Sequence, residues 1–275
     1  MSSPRRAAVL GSPVSHSRSP DLHRAAYAAL GLTGWTYEAI DTTAEQLPPL
    51  VRGAGPEWVG FSVTMPGKPA ALEVADERTA RAELIGSANT LVRLPDGGWR
   101  ADCTDVDGMA AALDAAGVPA GADRAVVIGA GGTALPTVAA LADRGITDIA
   151  VVARSADRAR DVLDLADRLE TTAWHVAFDD AEAIEAECRE AAVCVSTVPA
   201  GAAVSLAAPV APSARLIDVI YDPWPTPLAA AVQDAGGTVV GGLVMLLNQA
   251  YSQVEQFTGL PAPRAAMAAA LTADH

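Results

Sequence analysis

The chain has 275 residues, of which 51% are hydrophobic, and its 33 acidic against 19 basic residues give a formal charge of −14. A chain of this length buries a large apolar core without disulfides or structural metals, which argues against intrinsic disorder. The acidic excess disfavours nucleic acids and anionic membranes as partners, because its long-range field repels phosphates. Only 4% of the residues are aromatic. A core of Ala, Val and Leu is therefore expected, in an α/β or mostly α fold.

Cysteines, histidines and the N-terminus narrow the class further. Cys103, Cys188 and Cys194 are odd in number and lack CxxC spacing, and four scattered histidines form no HxxxH pair. Neither a disulfide framework nor a metal site is predicted. The apolar run after Arg5 and Arg6 is too short for a signal peptide, and no window approaches the roughly 18 to 20 apolar residues of a membrane span. We therefore expect a soluble, cytoplasmic protein.

In the first half of the chain, apolar runs alternate with Ala-rich amphipathic stretches, which indicates βα units and a largely parallel sheet. The pattern predicts strands at 5–11, 35–41, 58–63, 88–94 and 99–101, and helices at 20–30, 43–52, 77–85 and 105–116. Residues 96–98 (Asp-Gly-Gly) predict a hairpin turn between the last two strands.

A linker-like stretch, 117–121, separates this half from a second series of alternating elements. The second series predicts strands at 124–129, 147–153, 172–177, 193–197 and 216–219, and helices at 132–144, 156–169, 180–187 and 227–235. Segments 242–257 and 263–271 are predicted to be helical and to dock back on the first half. The sequence thus predicts an α/β fold with two domains, one of residues 1–107 plus 242–275 and one of residues 108–241.

The second domain contains a candidate phosphate-binding loop. Its first strand runs into Gly129-Ala130-Gly131-Gly132-Thr133-Ala134, which matches G-x-G-x-x-A where a strand meets a helix. The first glycine permits the tight turn, the second lets a pyrophosphate approach the backbone, and the helix N-terminus faces the anion. We predict a Rossmann-type dinucleotide site at 129–133. The alternative is a glycine-rich turn that binds no ligand.

The end of the next strand predicts which dinucleotide binds. NAD sites usually carry an acidic residue there, about 20 residues after the loop, whereas this chain has Arg154, followed by Ser155 and by Arg158 one helical turn further on. Two guanidinium groups suit a 2′-phosphate, so NADP (as NADPH) is predicted over NAD. The alternative is that both arginines are solvated surface charges.

Polar residues of the first domain stand at the ends of predicted elements. Ser17 and Ser19 precede the first helix, where Ser19 also suits an N-cap. Lys68 follows a strand, at the edge where open α/β sheets bind ligands. Asp105 opens a helix and also favours its dipole, and Asn89 in a strand also suits backbone bridging. Taken singly, each has a structural explanation.

Taken together, seven motifs resemble those of the shikimate dehydrogenase family along nearly the whole chain. They are Gly11-Ser12-Pro13, His16 to Pro20 with His23, Val63 to Lys68 (NVTxPxK), Gly86 to Thr90 (GAxNT), Thr104-Asp105 with Gly108 (NTDxxG), Asp218 to Leu228 (DxxYxPxxTPL) and Gly242 to Gln249 (GxxMLxxQ). Four positions depart from the family pattern, which has asparagine there: Ser62, Cys103, Arg24 and Ala153.

The resemblance implies reversible NADPH-dependent reduction of 3-dehydroshikimate to shikimate in aromatic amino-acid biosynthesis, by a monomer or homodimer. It implies a catalytic and substrate-binding domain of 1–107 plus 242–275, an NADP-binding domain of 108–241 and an active site between them. The resemblance implies that Lys68 and Asp105 are the catalytic pair and that Ser17 and Ser19 bind the substrate carboxylate. The ring would be bound by the catalytic pair together with Thr64, Asn89, Tyr221 and Gln249. The residues implied to lie near the nicotinamide are Val219, Gly242 and Met245.

The chemistry fits those residue types. Reduction of a carbonyl leaves developing negative charge on oxygen, which needs a proton and a positive neighbour, and a lysine supplies both. Two alternatives stay open. One is an NAD-preferring quinate/shikimate dehydrogenase, which Arg154 disfavours. The other is a non-catalytic sensor of shikimate or NADPH, which Cys103 and Ser62 make conceivable.

Overall fold

The computed structural model describes residues 4–272 and divides the chain into two compact units. The first unit runs to Thr104 and resumes at Leu246, and the second is Asp105–Met245. The predicted domain limits lie at 107/108 and 241/242, and the division of substrate and cofactor binding between the domains stays a prediction. No described helix is long and apolar enough to cross a membrane.

The first unit is built on a mixed six-stranded sheet in the order β2-β1-β3-β5-β6-β4. Its strands are β1 (Arg5–Gly11), β2 (Trp35–Asp41), β3 (Trp58–Val63), β4 (Glu77–Arg78), β5 (Thr90–Arg93) and β6 (Trp99–Asp102). Strands β1, β2 and β3 are parallel, and β5 is antiparallel to both β3 and β6. The start of β5 therefore lies at the same sheet edge as the ends of β1, β3 and β6.

The helices of the first unit are α1 (Ser19–Ala29), α2 (Leu47–Arg52), α3 (Lys68–Val74), α4 (Ala80–Ile85) and α12 (Arg264–Thr272), and most of α11 (Gly242–Thr258) also belongs to it. One core cluster of this unit packs Leu10, Leu47, Phe61 and Leu91 between sheet and helices. All four side chains are fully buried. This apolar layer holds the strands in register, so that the residues following each strand end at defined positions.

Three local predictions for this unit are wrong. The helix predicted from residue 43 begins at Leu47, and residues 44–46 form a turn across which Thr43 and Gln46 exchange side-chain-to-backbone hydrogen bonds. The helix predicted from residue 77 begins at Ala80, because the Thr79 hydroxyl caps it. Residues 77–78 instead form β4 beside β6. The short helix α3 was not predicted.

The second unit carries a fully parallel sheet in the order β12-β11-β10-β7-β8-β9. Its strands are β7 (Arg124–Ile128), β8 (Asp148–Ala153), β9 (Thr172–Ala177), β10 (Val193–Ser196), β11 (Arg215–Asp218) and β12 (Thr238–Gly241). Counted along the unit, this order is 3-2-1-4-5-6, the Rossmann order, whose switch point lies between β7 and β10. The predicted α/β fold with a Rossmann-type domain is confirmed.

The helices of the second unit are α5 (Asp105–Ala115), α6 (Ala134–Asp143), α7 (Ala156–Arg168), α8 (Ala181–Glu190), α9 (Ala207–Val210) and α10 (Pro227–Asp234), with a 3₁₀ helix at Ala200–Leu206. The prediction missed β12, since an apolar run of three or four residues does not reveal its secondary structure by periodicity. It also missed the 3₁₀ helix and α9. Strand β12 matters because it ends directly at α11.

Candidate active site

Residues of four sequence motifs lie at one edge of the first sheet. Gly11 ends β1, Thr64 follows β3, Asn89 precedes the antiparallel β5, and Thr104 follows β6. The Thr64 N–H donates to the Leu10 carbonyl at 2.9 Å, and the Asn89 N–H donates to the Asp102 carbonyl at 3.1 Å. The antiparallel β5 thus brings the GAxNT motif to the edge where the parallel strands end.

A close backbone approach explains the glycine at the end of β1. A Cβ at Gly11 would lie 2.3 Å from Thr64 Cγ2 and 2.9 Å from the Met65 carbonyl oxygen. Because no side chain fits there, Gly11 lets the ends of β1 and β3 meet, and the Ser12 N–H donates to the Met65 carbonyl at 3.0 Å. The segment with Ser17 and Ser19 is thereby anchored beside the turn that leads to Lys68.

Ser17 and Ser19 stand at the start of α1. Helix α1 begins at Ser19, and Arg18 occupies its N-cap position without a side-chain cap, so the N-cap alternative for Ser19 is wrong. Ser19 is buried and Ser17 is half-buried. The Ser17 hydroxyl accepts a hydrogen bond from the Ser19 N–H at 3.3 Å. Both hydroxyls therefore belong to one tight turn after β1.

Lys68 is the only lysine of the chain; the other 18 basic residues are arginines. It is half-buried and is the first residue of α3. Arginine stays protonated at any physiological pH, whereas lysine exchanges protons when its surroundings allow it. In a chain that otherwise uses arginine, the one titratable ammonium group stands just beyond the strand edge described above.

Asp105 follows Thr104 directly and is the first residue of α5. Its Cα therefore lies about 3.8 Å from that of Thr104. The side chain is buried, with 6% of its surface exposed, and a carboxylate at this position interacts favourably with the positive end of the helix dipole. Asp105 thus stands at the junction between the end of β6 and the start of α5.

Asn89 is the centre of a buried amide and hydroxyl network. Its Oδ1 accepts hydrogen bonds from the Thr104 N–H at 2.8 Å and from the Thr90 hydroxyl at 2.9 Å. Its Nδ2 donates to Thr104 Oγ1 at 3.0 Å and to Gln249 Oε1 at 3.2 Å. Gln249 Nε2 in turn donates to the Leu246 carbonyl at 2.8 Å. The two predicted ring-binding amides, one directly before β5 and one on α11, are therefore hydrogen-bonded to each other.

Sequence reasoning missed three partners of this network. Gln253, one turn after Gln249, is 1% exposed, and Tyr37 and His23 are fully buried beside it. Tyr37 Oη donates to Ser62 Oγ at 2.6 Å, and Ser62 Oγ donates to Gln253 Oε1 at 2.7 Å. The signal available in the sequence was the spacing of Gln249, Gln253 and Gln256, which puts all three on one face of α11.

In the first unit, two of the departures from the family's asparagines, Ser62 and Cys103, are buried. Ser62 lies inside the network just described, and Cys103 is fully buried with its N–H donating to Asp102 Oδ1 at 2.8 Å. Burial acts to raise the pKa of Asp102, but hydrogen bonds from Arg81 and Thr79, the Arg81 charge and the Gln256 amide outweigh it and lower that pKa to about 2. The end of β6 is thus held by an ion pair between buried Asp102 and half-buried Arg81.

In the second unit, the glycine loop after β7 has the geometry of an anion cradle. Gly129 has a φ of +108°, and a Cβ there would lie 2.4 Å from Thr197 Oγ1, so only glycine fits. Gly131 and Gly132 are exposed, Ala130 is half-buried, and a Cβ at Gly131 would meet nothing within 4 Å. Open space over a helix start suits the close approach of a pyrophosphate.

The residues after β8 flank this loop. Strand β8 pairs with β7, and the Gly129 N–H donates to the Val152 carbonyl at 2.9 Å. Arg154 and Arg158 are exposed, and within residues 4–272 neither guanidinium makes an ion pair or hydrogen bond. The Ser155 hydroxyl caps α7 by accepting from the Arg158 N–H at 3.4 Å. The loop and the two free cations fit a dinucleotide with a 2′-phosphate.

Strands β11 and β12 bring the remaining predicted cofactor residues together. A Cβ at Gly242 would lie 2.1 Å from the Val219 carbonyl oxygen, and the Gly242 N–H donates to the Ile220 carbonyl at 3.2 Å. Met245 is buried one turn further on, and Tyr221 is half-buried. Val219 and Gly242 therefore form one tight backbone junction at the end of the sheet.

Comparison with known proteins covers both units. Residues 9–91 match the shikimate dehydrogenase substrate-binding domain, residues 242–272 the shikimate 5′-dehydrogenase C-terminal domain, and residues 125–240 the saccharopine dehydrogenase NADP-binding domain. The shikimate dehydrogenase (NADP(+)) of Methylobacterium radiotolerans is 39% identical, and the alignment covers 94% of this chain and 93% of that protein.

Two crystal structures extend the comparison. Shikimate dehydrogenase of Mycobacterium tuberculosis is 58% identical with a TM-score of 0.91, covering 98% of this chain and 100% of that one. The Thermus thermophilus shikimate 5-dehydrogenase in complex with NADP(H) and shikimate is 31% identical with a TM-score of 0.81, covering 98% of both chains. With the motifs, the Rossmann-type second unit and these similarities, the chain belongs to the shikimate dehydrogenase family.

Proposed function

We propose that this chain catalyses the reversible NADPH-dependent reduction of 3-dehydroshikimate to shikimate. The observation that carries the proposal is the meeting of four family motifs at one sheet edge, with the chain's only lysine just beyond it. We also propose a cytoplasmic location and a monomeric or homodimeric state.

Substrate binding is proposed to use groups of known donor and acceptor character. The hydroxyls of Ser17 and Ser19 would donate to the substrate carboxylate, and Thr64 and Tyr221 to ring oxygens. The hydrogen bonds of the Asn89 amide include one from Nδ2 to Gln249 Oε1, at 3.2 Å. A ring hydroxyl that inserts between Asn89 and Gln249 would replace that bond without leaving either amide unpaired.

NADPH, when bound, supplies the hydride for the carbonyl carbon. Lys68 would then neutralise the charge that develops on the carbonyl oxygen and donate a proton from Nζ. The Asp105 carboxylate would accept a hydrogen bond from the neighbouring ring hydroxyl and orient the ammonium group. An arginine at position 68 would supply charge but no proton, which explains why lysine is retained only there.

The cofactor is proposed to bind over Gly129 to Thr133, with Val219, Gly242 and Met245 beside the nicotinamide. Arg154 and Arg158 would receive the 2′-phosphate, because their guanidinium groups have no carboxylate partner in the described chain. A ribose without that phosphate would leave both cations without a ligand. This supports NADP as the preferred cofactor.

The test is a four-way kinetic comparison of shikimate and quinate with NADP and NAD. Nicotinamide absorbance gives the rate in each case. We expect shikimate with NADP to give the highest kcat/KM. Faster oxidation of quinate with NAD would overturn the proposal in favour of a quinate/shikimate dehydrogenase. Shikimate binding in calorimetry with no turnover would overturn it in favour of a sensor.

The single lysine gives a second, independent test. Lys68→Arg keeps the charge but removes the proton donor, so we expect kcat to fall by about 10²- to 10⁴-fold. Because the chain has no other lysine, trinitrobenzenesulfonate, which modifies amines, can label a lysine side chain only at Lys68. Shikimate should slow that labelling, which is measured by mass spectrometry of the peptide that contains Lys68. An unchanged rate in Lys68→Arg would exclude proton transfer by this residue.

A further inference from the structure

Helix α11 presents three glutamines to the sheet of the first unit. Gln249, Gln253 and Gln256 are spaced by four and three residues and therefore share one helix face. Gln249 reaches Asn89 and Gln256 reaches Asp102, where its Nε2 donates at 2.7 Å. Gln253 lies between them, and the proposed reaction assigns it no role.

Gln253 uses all four of its hydrogen-bonding positions. Its Nε2 donates to the Asn89 carbonyl at 3.2 Å and to Thr90 Oγ1 at 3.0 Å. Its Oε1 accepts from Ser62 Oγ at 2.7 Å and lies 3.3 Å from His23 Nε2. A flipped amide would set Oε1 against the Asn89 carbonyl oxygen, two acceptors in contact, so the surroundings determine its orientation.

The direction of each hydrogen bond follows from this orientation. Because Gln253 Nε2 donates to Thr90 Oγ1, the Thr90 hydroxyl hydrogen points elsewhere, to Asn89 Oδ1 at 2.9 Å. Asn89 Oδ1 is then an acceptor inside the protein, and its Nδ2 faces Gln249 Oε1. Each residue in the series Tyr37, Ser62, Gln253, Thr90 and Asn89 thus donates a hydrogen bond to the next one.

His23 supports the same polarity. Its ring stacks on Tyr37 with centroids 4.0 Å apart and on Phe257 at 5.6 Å. Burial lowers the pKa of His23 to about 3, partly offset by the hydrogen bond to Gln253. A neutral imidazole with Nε2 protonated donates to Gln253 Oε1, so the network contains no buried charge to compete for that oxygen.

We propose that Gln253 is a positioning residue for substrate binding, acting through Thr90 and alongside the Thr104 N–H to hold Asn89 Oδ1 inside the protein, so that Asn89 Nδ2 faces the ring hydroxyls of the substrate. The inference rests on the proposed function, since it presumes that Asn89 binds shikimate. It adds that a residue with no substrate contact sets the donor and acceptor pattern of that contact. The buried Ser62 hydroxyl, where the family has asparagine, takes part by orienting Gln253 Oε1.

The test compares Gln253→Met with Gln256→Met, two substitutions of similar shape on the same helix face. Calorimetry with shikimate alone and kinetics with shikimate and NADP give the readouts. We expect Gln253→Met to raise the shikimate Kd and KM about five- to tenfold, the size of one lost hydrogen bond, and to leave the NADP KM unchanged. Gln256→Met should lower thermal stability without changing the shikimate Kd.

If Gln253→Met does not fold, two substitutions at Thr90 test the same inference. Thr90→Val keeps the shape but removes the hydroxyl between Gln253 and Asn89, so we expect a similar rise in the shikimate Kd. Thr90→Ser retains that hydroxyl and should stay near the wild-type value. An unchanged Kd in Gln253→Met or Thr90→Val, or an equal loss in Gln256→Met, would overturn the inference. Absence of shikimate binding by the wild type would instead overturn the proposed function.

Discussion

The strand edges of the two units are built in opposite ways. At the edge of the first sheet, polar side chains are buried and bonded to one another, with Asn89, Thr90, Thr104 and Gln253 each at most 3% exposed. At the edge of the second sheet, the candidate phosphate-binding loop at 129–133 consists mostly of glycine and exposes its backbone. Arg154 lies in solvent with no partner among the described residues.

The difference follows from what each edge is proposed to recognise. A small ring with several hydroxyls is distinguished by the positions of donors and acceptors, which requires side chains held rigidly by neighbours. A pyrophosphate is recognised by charge and by backbone N–H groups, which need space rather than side chains. Substitutions at the first edge should therefore change chemistry and stability, and those at the second should change cofactor affinity alone.

The largest effect is expected at Asp105. Asp105→Asn removes the charge from the start of α5 while keeping its shape, so kcat should fall by about 10²- to 10⁴-fold. The control is Asp107→Asn in the same helical turn, which should alter kcat little. Steady-state kinetics with shikimate and NADP make the measurement, and equal losses in the two variants would count against a special role for Asp105.

The glycine loop tests the second edge. Gly131→Val places a side chain in open space, so unfolding should be unaffected while the KM for NADP rises at least about tenfold. Gly201→Val is the matched control, because a Cβ there also meets nothing within 4 Å. Thermal unfolding and kinetics are compared for both. A drop in melting temperature in Gly131→Val alone would show that this edge is not independent of the fold.

The buried network predicts a pH dependence of stability. The pKa of His23 is lowered by burial to about 3 from 6.5, so below pH 6.5 the unfolded chain takes up a proton that the folded chain does not. The free energy of unfolding should fall by roughly 1.4 kcal/mol per pH unit as the pH drops below 6.5. Above pH 6.5, the stabilisation that comes from the lowered His23 pKa is fully present.

Chemical denaturation between pH 6.5 and 5, above the range of ordinary carboxylates, makes this measurement. Tyr27 and Tyr37, which face His23, stay neutral there because burial raises the pKa of both. His23→Gln should remove most of the slope, whereas His16→Gln, at an exposed position, should keep it. A slope that survives in His23→Gln would assign it to another group.

The smallest effect is expected at Arg154. Arg154→Gln should raise the KM for NADP about three- to tenfold and leave the KM for NAD and for shikimate unchanged, because an exposed cation contributes about a kcal/mol to binding a phosphate. Arg168→Gln, exposed in the last turn of α7, the helix that follows Arg154, is the control. Equal changes for NADP and NAD would count against a 2′-phosphate contact.

Local patterns predicted most elements of both units. Strands β1, β2, β3 and β9 begin and end where the alternation of the sequence indicates, because side-chain period and strand geometry share one local cause. The errors fall where local signals compete. Thr79 caps a helix within an otherwise helical stretch, and β12 is too short for its period to be read.

The candidate site divides in the same way. The sequence by itself determined the residue types that carry chemistry, such as Lys68, Asp105 and the glycine loop, since short motifs combine a residue type with a local backbone shape. Only the tertiary structure decided that β5 runs antiparallel and brings Asn89 to the edge reached by β1 and β3. It alone decided that Gln253, more than 160 residues away in the chain, hydrogen-bonds to the Asn89 carbonyl and to the Thr90 hydroxyl. Strand order and side-chain packing depend on contacts between distant segments, which no local pattern encodes.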